Sequence, residues 1–235
     1  MKKGILYLIP TAVAEESQDK ILTPQLAEVL QSTKHFVAEH AREARRFISS
    51  LKLGIKIENL QFVELDKHRT LKDAKVLLAP ALEGNNLGLM SDAGCPGVAD
   101  PGAELVSAAH AAGITVVPLV GPSSILLALM ASGMSGQNFR FNGYLPIDQK
   151  ELRNKLRELE QHSRQHNETQ IFIETPYRSD KLLKMLSASL GGQVRLVVAT
   201  DLTGPGESIM SHTIAEWQKR KLVIGKKPTV FLFLA

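Results

Sequence analysis

The sequence predicts an α/β fold of two lobes, the first built on a mainly parallel sheet and the second on a mixed one. Three observations carry this expectation. Short apolar runs alternate with amphipathic stretches through the first half of the chain, the pattern of strands covered by helices. A strongly charged stretch over residues 148–166 then interrupts it, with only Leu152, Leu156 and Leu159 as an apolar stripe, which fits an exposed helix joining lobes. Beyond that helix adjacent strands near the end of the chain suggest a mixed rather than purely parallel sheet. A length of 235 residues suits two lobes of ordinary size. The boundary is placed near Pro146, giving lobes over residues 1–145 and 146–235.

Each element has a local reason. Residues 5–9, ILYLI, form a buried first strand. Thr23 caps the next helix, with Pro24 at its first position and Leu26, Val29 and Leu30 facing inward. His35 to Ala38 is a strand; a basic helix follows, with Arg42, Arg45, Arg46 and Lys52 outside and Phe47, Ile48 and Leu51 inside. Residues 60–65 are a strand. Leu71, Ala74, Leu78 and Leu82 recur at helical spacing, with Pro80 kinking or ending that helix. Leu87 to Met90 is a strand that runs into SDAGCPGVADPG, after which Asp100-Pro101 is expected to start a helix that Gly113 stops. A strand over residues 114–120, the turn Gly121-Pro122-Ser123-Ser124, an Ala- and Leu-rich helix to about Gly133, and a strand at Phe139–Tyr144 complete the first lobe. The second holds a strand near 171–173, a helix over 181–190 ended by Gly191-Gly192, strands near 194–199 and 209–214, a short helix at Trp217 and a last strand near 230–234.

With 44% hydrophobic and 22% charged residues the chain buries a core rather than staying unfolded. The formal charge of +4 permits, without requiring, an acidic partner such as RNA. The single cysteine, Cys95, makes no internal disulfide, and a reducing, cytoplasmic setting is expected. The apolar run over 125–131 is too short to span a bilayer. Lys2, Lys3 and the following apolar residues mimic a signal peptide, but Pro10 breaks the segment, and it is read as the first strand.

The loop over residues 91–102 concentrates glycines, prolines and two carboxylates between a strand and a helix. Such a loop lets a ligand approach the backbone beyond the carboxyl end of a strand. Asp100 is read as a helix cap and Asp92 as a ligand contact. Neither G-x-G-x-x-G nor G-K-[ST] is present, which argues against a bound polyphosphate. The GPSS turn offers hydroxyls and backbone N–H groups at a helix start. His162 and His166 have i,i+4 spacing in a charged helix, and no metal is expected there. Cys95 lacks an activating partner and is read as a packing residue. Arg42, Arg45, Arg46, Lys52 and Lys56 are read as the wet face of a helix rather than an RNA-facing stripe.

SDAGCPGVADPG, PLVGPSSILLALMASGM, FRFNGYLP and FIETPYR, in this order and spacing, resemble the tetrapyrrole-methylase-type S-adenosylmethionine methyltransferases. Within them the chain is most similar to the bacterial branch that methylates ribose 2'-oxygens of 16S rRNA. The resemblance covers most of the chain. It implies a cofactor, S-adenosylmethionine, folded in a cleft between two lobes and held largely by backbone groups, a homodimer, and 16S rRNA in the small ribosomal subunit as partner. Carried over position by position, it implies cofactor contacts at Pro10, at Ser91, Asp92 and Ala93, at Cys95 and Pro96, at Ser123 and Ser124, near Glu174, and around Thr203 and Gly204.

The substrate-side loops depart from the family. PTAVAEE stands where the RNA-modifying branch resembles TPIGN, and Glu39-His40-Ala41-Arg42 where it shows EDTR. The Asn-Glu pair expected after the third strand is absent from LDKHR, and Gly225-Lys226-Lys227-Pro228 replaces a closing K-G-E. Methyl transfer from a sulfonium is an in-line displacement in which positioning supplies much of the rate. A hydroxyl acceptor still benefits from a base, for which Glu39 and Glu174 are the candidates with His40 behind them. Arg42 and Arg178 could grip a phosphate; ordinary ion pairing is the competing role for all five. Two other readings stay open: a methylase of the same fold acting on a tetrapyrrole or another substrate, and a module that binds S-adenosylmethionine without catalysis.

Overall fold

The computed structural model describes residues 2–65, 71–221 and 223–235. The chain divides into two compact units, residues 1–123 and 124–235.

In the first unit, strands β1 (Ile5–Ile9), β2 (His35–Ala38), β3 (Gln61–Glu64), β4 (Leu87–Met90) and β5 (Thr115–Pro118) form one all-parallel sheet in the order β3-β2-β4-β1-β5. Alternation along each strand sends side chains to two opposite cores. Ile9, Phe36, Ala38 and Met90 pack with Leu26, Val29 and Leu30 of α1 (Pro24–Ser32) and with Ala44 and Ile48 of α2 (Ala41–Ser50). Leu6, Val37, Leu87 and Leu89 pack with α3 (Leu71–Leu77), α4 (Ala79–Leu82) and α5 (Ala103–Ala111). Thr23 caps α1 as expected, its Oγ1 accepting from Leu26 N at 3.1 Å, and Pro24 opens the helix. The break expected at Pro80 appears as the division between α3 and α4.

Two expectations for local structure are corrected. Helix α5 begins at Ala103 with Gly102 at its cap position, so Asp100 is not the N-cap residue and Pro101 not the first helical one. The reason is geometric: Gly102 holds a φ of 137°, which turns the chain into the helix two residues later than the Asp-Pro pair would. The strand at Phe139–Tyr144, expected to close the first lobe, pairs in parallel with a strand of the second sheet instead.

In the second unit, β6 (Phe139–Tyr144), β7 (Thr169–Glu174), β8 (Arg195–Thr200), β9 (Ser208–Thr213) and β10 (Thr229–Leu234) make a mixed sheet ordered β6-β7-β10-β8-β9. Only the β6–β7 pair is parallel. One face carries Phe172, Leu196, Val198, Phe231 and Phe233 under α7 (Gln149–His166), α8 (Ser179–Ser189) and α9 (Ile214–Trp217). Helix α6 (Ser124–Ser132) packs on β9 and β10. Asp148 caps α7 by accepting from Lys150 N and Glu151 N at 2.9 and 3.0 Å, and Leu152, Leu156 and Leu159 bury the expected stripe. The segment before β10 is tied to α8 by Asp180, whose carboxylate accepts from Ile224 N at 2.7 Å and Gly225 N at 3.2 Å. Asp180→Ala strands both part-buried donors and is expected to cost about 1–3 kcal/mol of folding stability. Urea denaturation of the variant measures this directly; an unchanged midpoint would show that the segment holds itself.

Candidate active site

The register of the first sheet sets the site. Ile9 lies opposite Met90, Met90 opposite Ala38, Ala38 opposite Glu64, and Leu8 opposite Pro118. The five strands therefore end together, and Pro10, Glu39, Ser91 and Leu119 leave the sheet along one carboxyl edge, where parallel sheets bind ligands.

Three loops on this edge are locked to one another. Thr11 and Gly94 exchange backbone hydrogen bonds of 2.9 and 3.3 Å, and Thr11 Oγ1 donates to the Ser91 carbonyl at 3.2 Å. Cys95 Sγ donates to the Pro122 carbonyl at 3.3 Å. Gly94 supplies the φ of 76° that this crossing needs, and a Cβ on Gly121 would strike the ring of Pro10. The predicted contacts Pro10, Ser91, Asp92, Ala93, Cys95, Pro96 and Ser123 thus converge on one edge of the first unit. Thr11, which sequence reading passed over beside Pro10, is the residue that joins the first two loops. Burial pushes the Cys95 thiol up, the opposite of what a nucleophile needs.

Whether these residues fit S-adenosylmethionine is decided by the donor set. Residues 91–99 and 119–123 contain no lysine or arginine, so nothing there grips a polyphosphate. Ser91 is 4% exposed, and its Oγ has no hydrogen-bond partner among the described residues. A buried hydroxyl without a partner costs stability, and one at a strand end beside open backbone fits a polar ligand without net phosphate charge.

Asp92, which had no local role in the sequence, is paired: its Oδ2 lies 2.6 Å from His40 Nδ1. The hydrogen bond to Asp92 and then its charge raise the His40 pKa above the ordinary imidazole value, with Glu39 and Glu64 adding to it. Glu39, His40 and Asp92 form the group whose ligand atoms lie within 4.8 Å of one another, the spacing that could hold a metal ion among the described residues. The basic stripe on α2 resolves into local contacts: Arg46 pairs with Glu43 at 3.4 Å and Arg45 stacks over Phe62, while Arg42 is exposed.

The second unit holds the remaining predicted residues. Glu174 ends β7 with its side chain fully buried; Oε1 accepts from Thr175 N at 2.7 Å, and Oε2 makes an ion-pair contact of 2.8 Å with Arg178 Nη2. Arg178 is thereby paired with Glu174, four residues before it in the chain. Ser124 opens α6. Thr203 and Gly204 lie in a loop folded on its own carboxylates: Asp201 Oδ2 accepts from Gly206 N at 2.8 Å, and Glu207 Oε2 from Thr203 N at 2.6 Å. Thr203 takes a φ of 70° there. Glu168 lies 3.0 Å from His162 Nδ1, and the same carboxylate oxygen accepts from Gln170 Nε2 at 2.7 Å. The Asp66–Arg69 stretch, where the family's Asn-Glu pair is missing, lies outside the described residues.

Comparison with known proteins supplies an independent line. Residues 18–218 match the model of the Tetrapyrrole (Corrin/Porphyrin) Methylases. The chain is 34% identical over 212 residues to the ribosomal RNA small subunit methyltransferase I of Vibrio cholerae, covering 90% of this chain and 69% of that protein. It is 32% identical over 213 residues to the enzyme of the same name from Bacillus subtilis, covering 91% and 68%. Among solved structures it resembles diphthine synthase, with a TM-score of 0.69 at 13% identity over 99% of this chain and 90% of that one. A second is the uroporphyrin-III C-methyltransferase of Thermus thermophilus complexed with S-adenosylhomocysteine, with a TM-score of 0.59 at 16% identity over 98% and 97%. These structural likenesses concern the fold.

Proposed function

The chain belongs to the tetrapyrrole (corrin/porphyrin) methylase family, and from that premise we propose that it moves the methyl group of S-adenosylmethionine to a ribose 2'-oxygen of 16S rRNA. It is an S-adenosylmethionine-dependent methyltransferase. The observation that carries the rRNA reading is the extent of the likeness: about a third of positions are identical to small-subunit rRNA methyltransferases over nine-tenths of the chain. This favours an RNA acceptor over a tetrapyrrole and a working enzyme over a binding module.

S-adenosylmethionine supplies an electrophilic methyl carbon on a sulfonium. The protein's part is to hold it and present the acceptor in line. Pro10, Ser91, Asp92, Ala93, Cys95, Pro96 and Ser123, all on the carboxyl edge of the first unit's sheet, take the cofactor. The orphaned Ser91 hydroxyl and the cation-free loops support this assignment. A base must be reachable by the acceptor. The Glu174 carboxylate is buried against Arg178, so proton transfer is assigned to Glu39 and its neighbours in the first unit. Arg42, exposed at the start of α2, takes a backbone phosphate of the RNA.

No helix among the described residues is long and apolar enough to cross a membrane, and the ribosomal acceptor places the enzyme in the cytoplasm. It acts as a homodimer. Support comes from Leu126 and Met130 on α6, with Phe139 and Tyr144 on edge strand β6, all exposed apolar side chains that a second copy would cover.

Titrating the protein with S-adenosylmethionine in a calorimeter, then supplying labelled cofactor and small ribosomal subunits from a strain lacking this gene, tests the reading. Binding followed by label in 16S rRNA is expected. Binding with no label in the subunits but label in a tetrapyrrole supplied in a parallel reaction would replace the acceptor, and binding without any transfer in either would leave a cofactor-binding module.

A further inference from the structure

We propose that His40 is the general base that takes the proton of the acceptor hydroxyl, with Asp92 fixing its ring from the opposite nitrogen. The inference rests on the methyltransferase reading above and adds to it the identity of the base.

Five features of the first unit carry it. Asp92 Oδ2 stands 2.6 Å from His40 Nδ1. An ionised carboxylate can only accept, so Nδ1 carries the proton, and the lone pair of the neutral ring lies on Nε2. The His40 side chain is 58% exposed against 38% for Asp92, so Nε2 is open to a substrate while Nδ1 is engaged.

The His40 backbone is held from three directions. Glu39 N donates to the Met90 carbonyl at 3.2 Å, Ala41 N to Glu64 Oε1 at 2.9 Å, and Ala44 N to the His40 carbonyl at 3.1 Å. Although His40 occupies the cap position of α2, its side chain makes no cap hydrogen bond, so the ring is not used by the helix. Finally, Asp92 belongs to the loop assigned to the cofactor, which brings the base to the methyl donor.

The three carboxylates that face the ring come from three elements: Asp92 after β4, Glu39 after β2 and Glu64 at the end of β3. Together they raise the imidazole pKa above its ordinary value. The 2.6 Å separation of the His40 and Asp92 side chains is a hydrogen-bond distance.

In the step itself, Nε2 takes the hydroxyl proton as the acceptor oxygen forms its bond to the methyl carbon. The carbon–sulfur bond breaks with its electron pair left on sulfur, which neutralises the sulfonium and gives S-adenosylhomocysteine. The imidazolium, stabilised by Asp92, then returns its proton to water. Only the neutral ring can act, so the rate rises with pH until the raised pKa is passed.

The test pairs kinetics with a readout that needs no turnover. His40→Asn is expected to lower kcat on small ribosomal subunits by about 10²–10⁴-fold. It should abolish the rise of kcat with pH and leave the Kd for S-adenosylmethionine within about twofold, because an exposed pair adds little to the fold. In ¹⁵N NMR of the intact protein, His40 should show the Nδ1–H tautomer and titrate above the ordinary imidazole value. In Asp92→Asn that titration should move down. A His40→Asn enzyme with wild-type kcat and pH profile would overturn the proposal, as would an Nε2–H tautomer or paramagnetic broadening of the His40 signals by added Mn²⁺. Wild-type protein that binds the cofactor but transfers nothing to the subunits would overturn the rRNA reading and the base with it. Transfer by wild type and variant alike would overturn the base alone.

Discussion

A Phe231→Ala variant is expected to lose about 3–5 kcal/mol of folding stability. Phe231 is fully buried in β10, the middle strand of the second sheet. It stands opposite Phe172 of β7 and Val198 of β8, with its ring stacked on Phe172 at a centroid distance of 5.8 Å. Phe172 in turn meets Phe233 edge-on at 6.1 Å. Truncation opens a void that rigid β-sheet neighbours cannot close, so the cavity cost adds to the lost transfer energy. Against a total stability of about 5–15 kcal/mol for ordinary domains, the loss is large. Denaturant titration followed by far-UV circular dichroism measures it. A loss under about 1 kcal/mol would place Phe231 outside the packed core.

The second large effect falls on the cofactor. In Gly121→Ala the new Cβ would land on Cβ and Cγ of the Pro10 ring, and a proline ring cannot swing aside as a long side chain can. Pro10 is followed by Thr11, which is bonded to Gly94 and to the Ser91 carbonyl, so relief of the clash must displace the loops proposed to hold S-adenosylmethionine. The Kd for the cofactor is expected to rise at least about tenfold, or about 1.4 kcal/mol. Calorimetric titration gives this number. Gly136→Ala, where an added Cβ meets nothing within 4 Å, is the control expected to bind as wild type. Equal affinities for Gly121→Ala and wild type would mean that the Pro10 edge is not part of the cofactor site.

Most of the fold was legible because its signals are local. The apolar runs marked the strands, Thr23-Pro24 marked the start of α1, and the Leu152, Leu156 and Leu159 stripe marked the buried side of α7. Pairing is not local, and there the reading went astray. Nothing in FRFNGYLP reveals that its strand pairs with β7, since a short strand carries no record of its neighbour. The start of α5 was missed because Gly102, not the Asp-Pro pair, turns the chain into the helix.

The site shows the same division. The loop over 91–102 announced itself through its glycines and prolines, but the partner of Asp92 is 52 positions away in sequence, and only the shared sheet edge brings His40 to it. Arg178 and Glu174 were read as separate functional candidates; four residues apart, they make an ion pair with each other.

The most direct test of the central claim is to digest 16S rRNA to nucleosides after incubating methyl-labelled S-adenosylmethionine, the protein and small ribosomal subunits from a strain lacking the gene. The account predicts label in a 2'-O-methylated nucleoside, and in the undigested rRNA resistance to alkaline cleavage at the linkage 3' to it. Label on a base, or none in the rRNA while the cofactor binds, would contradict it.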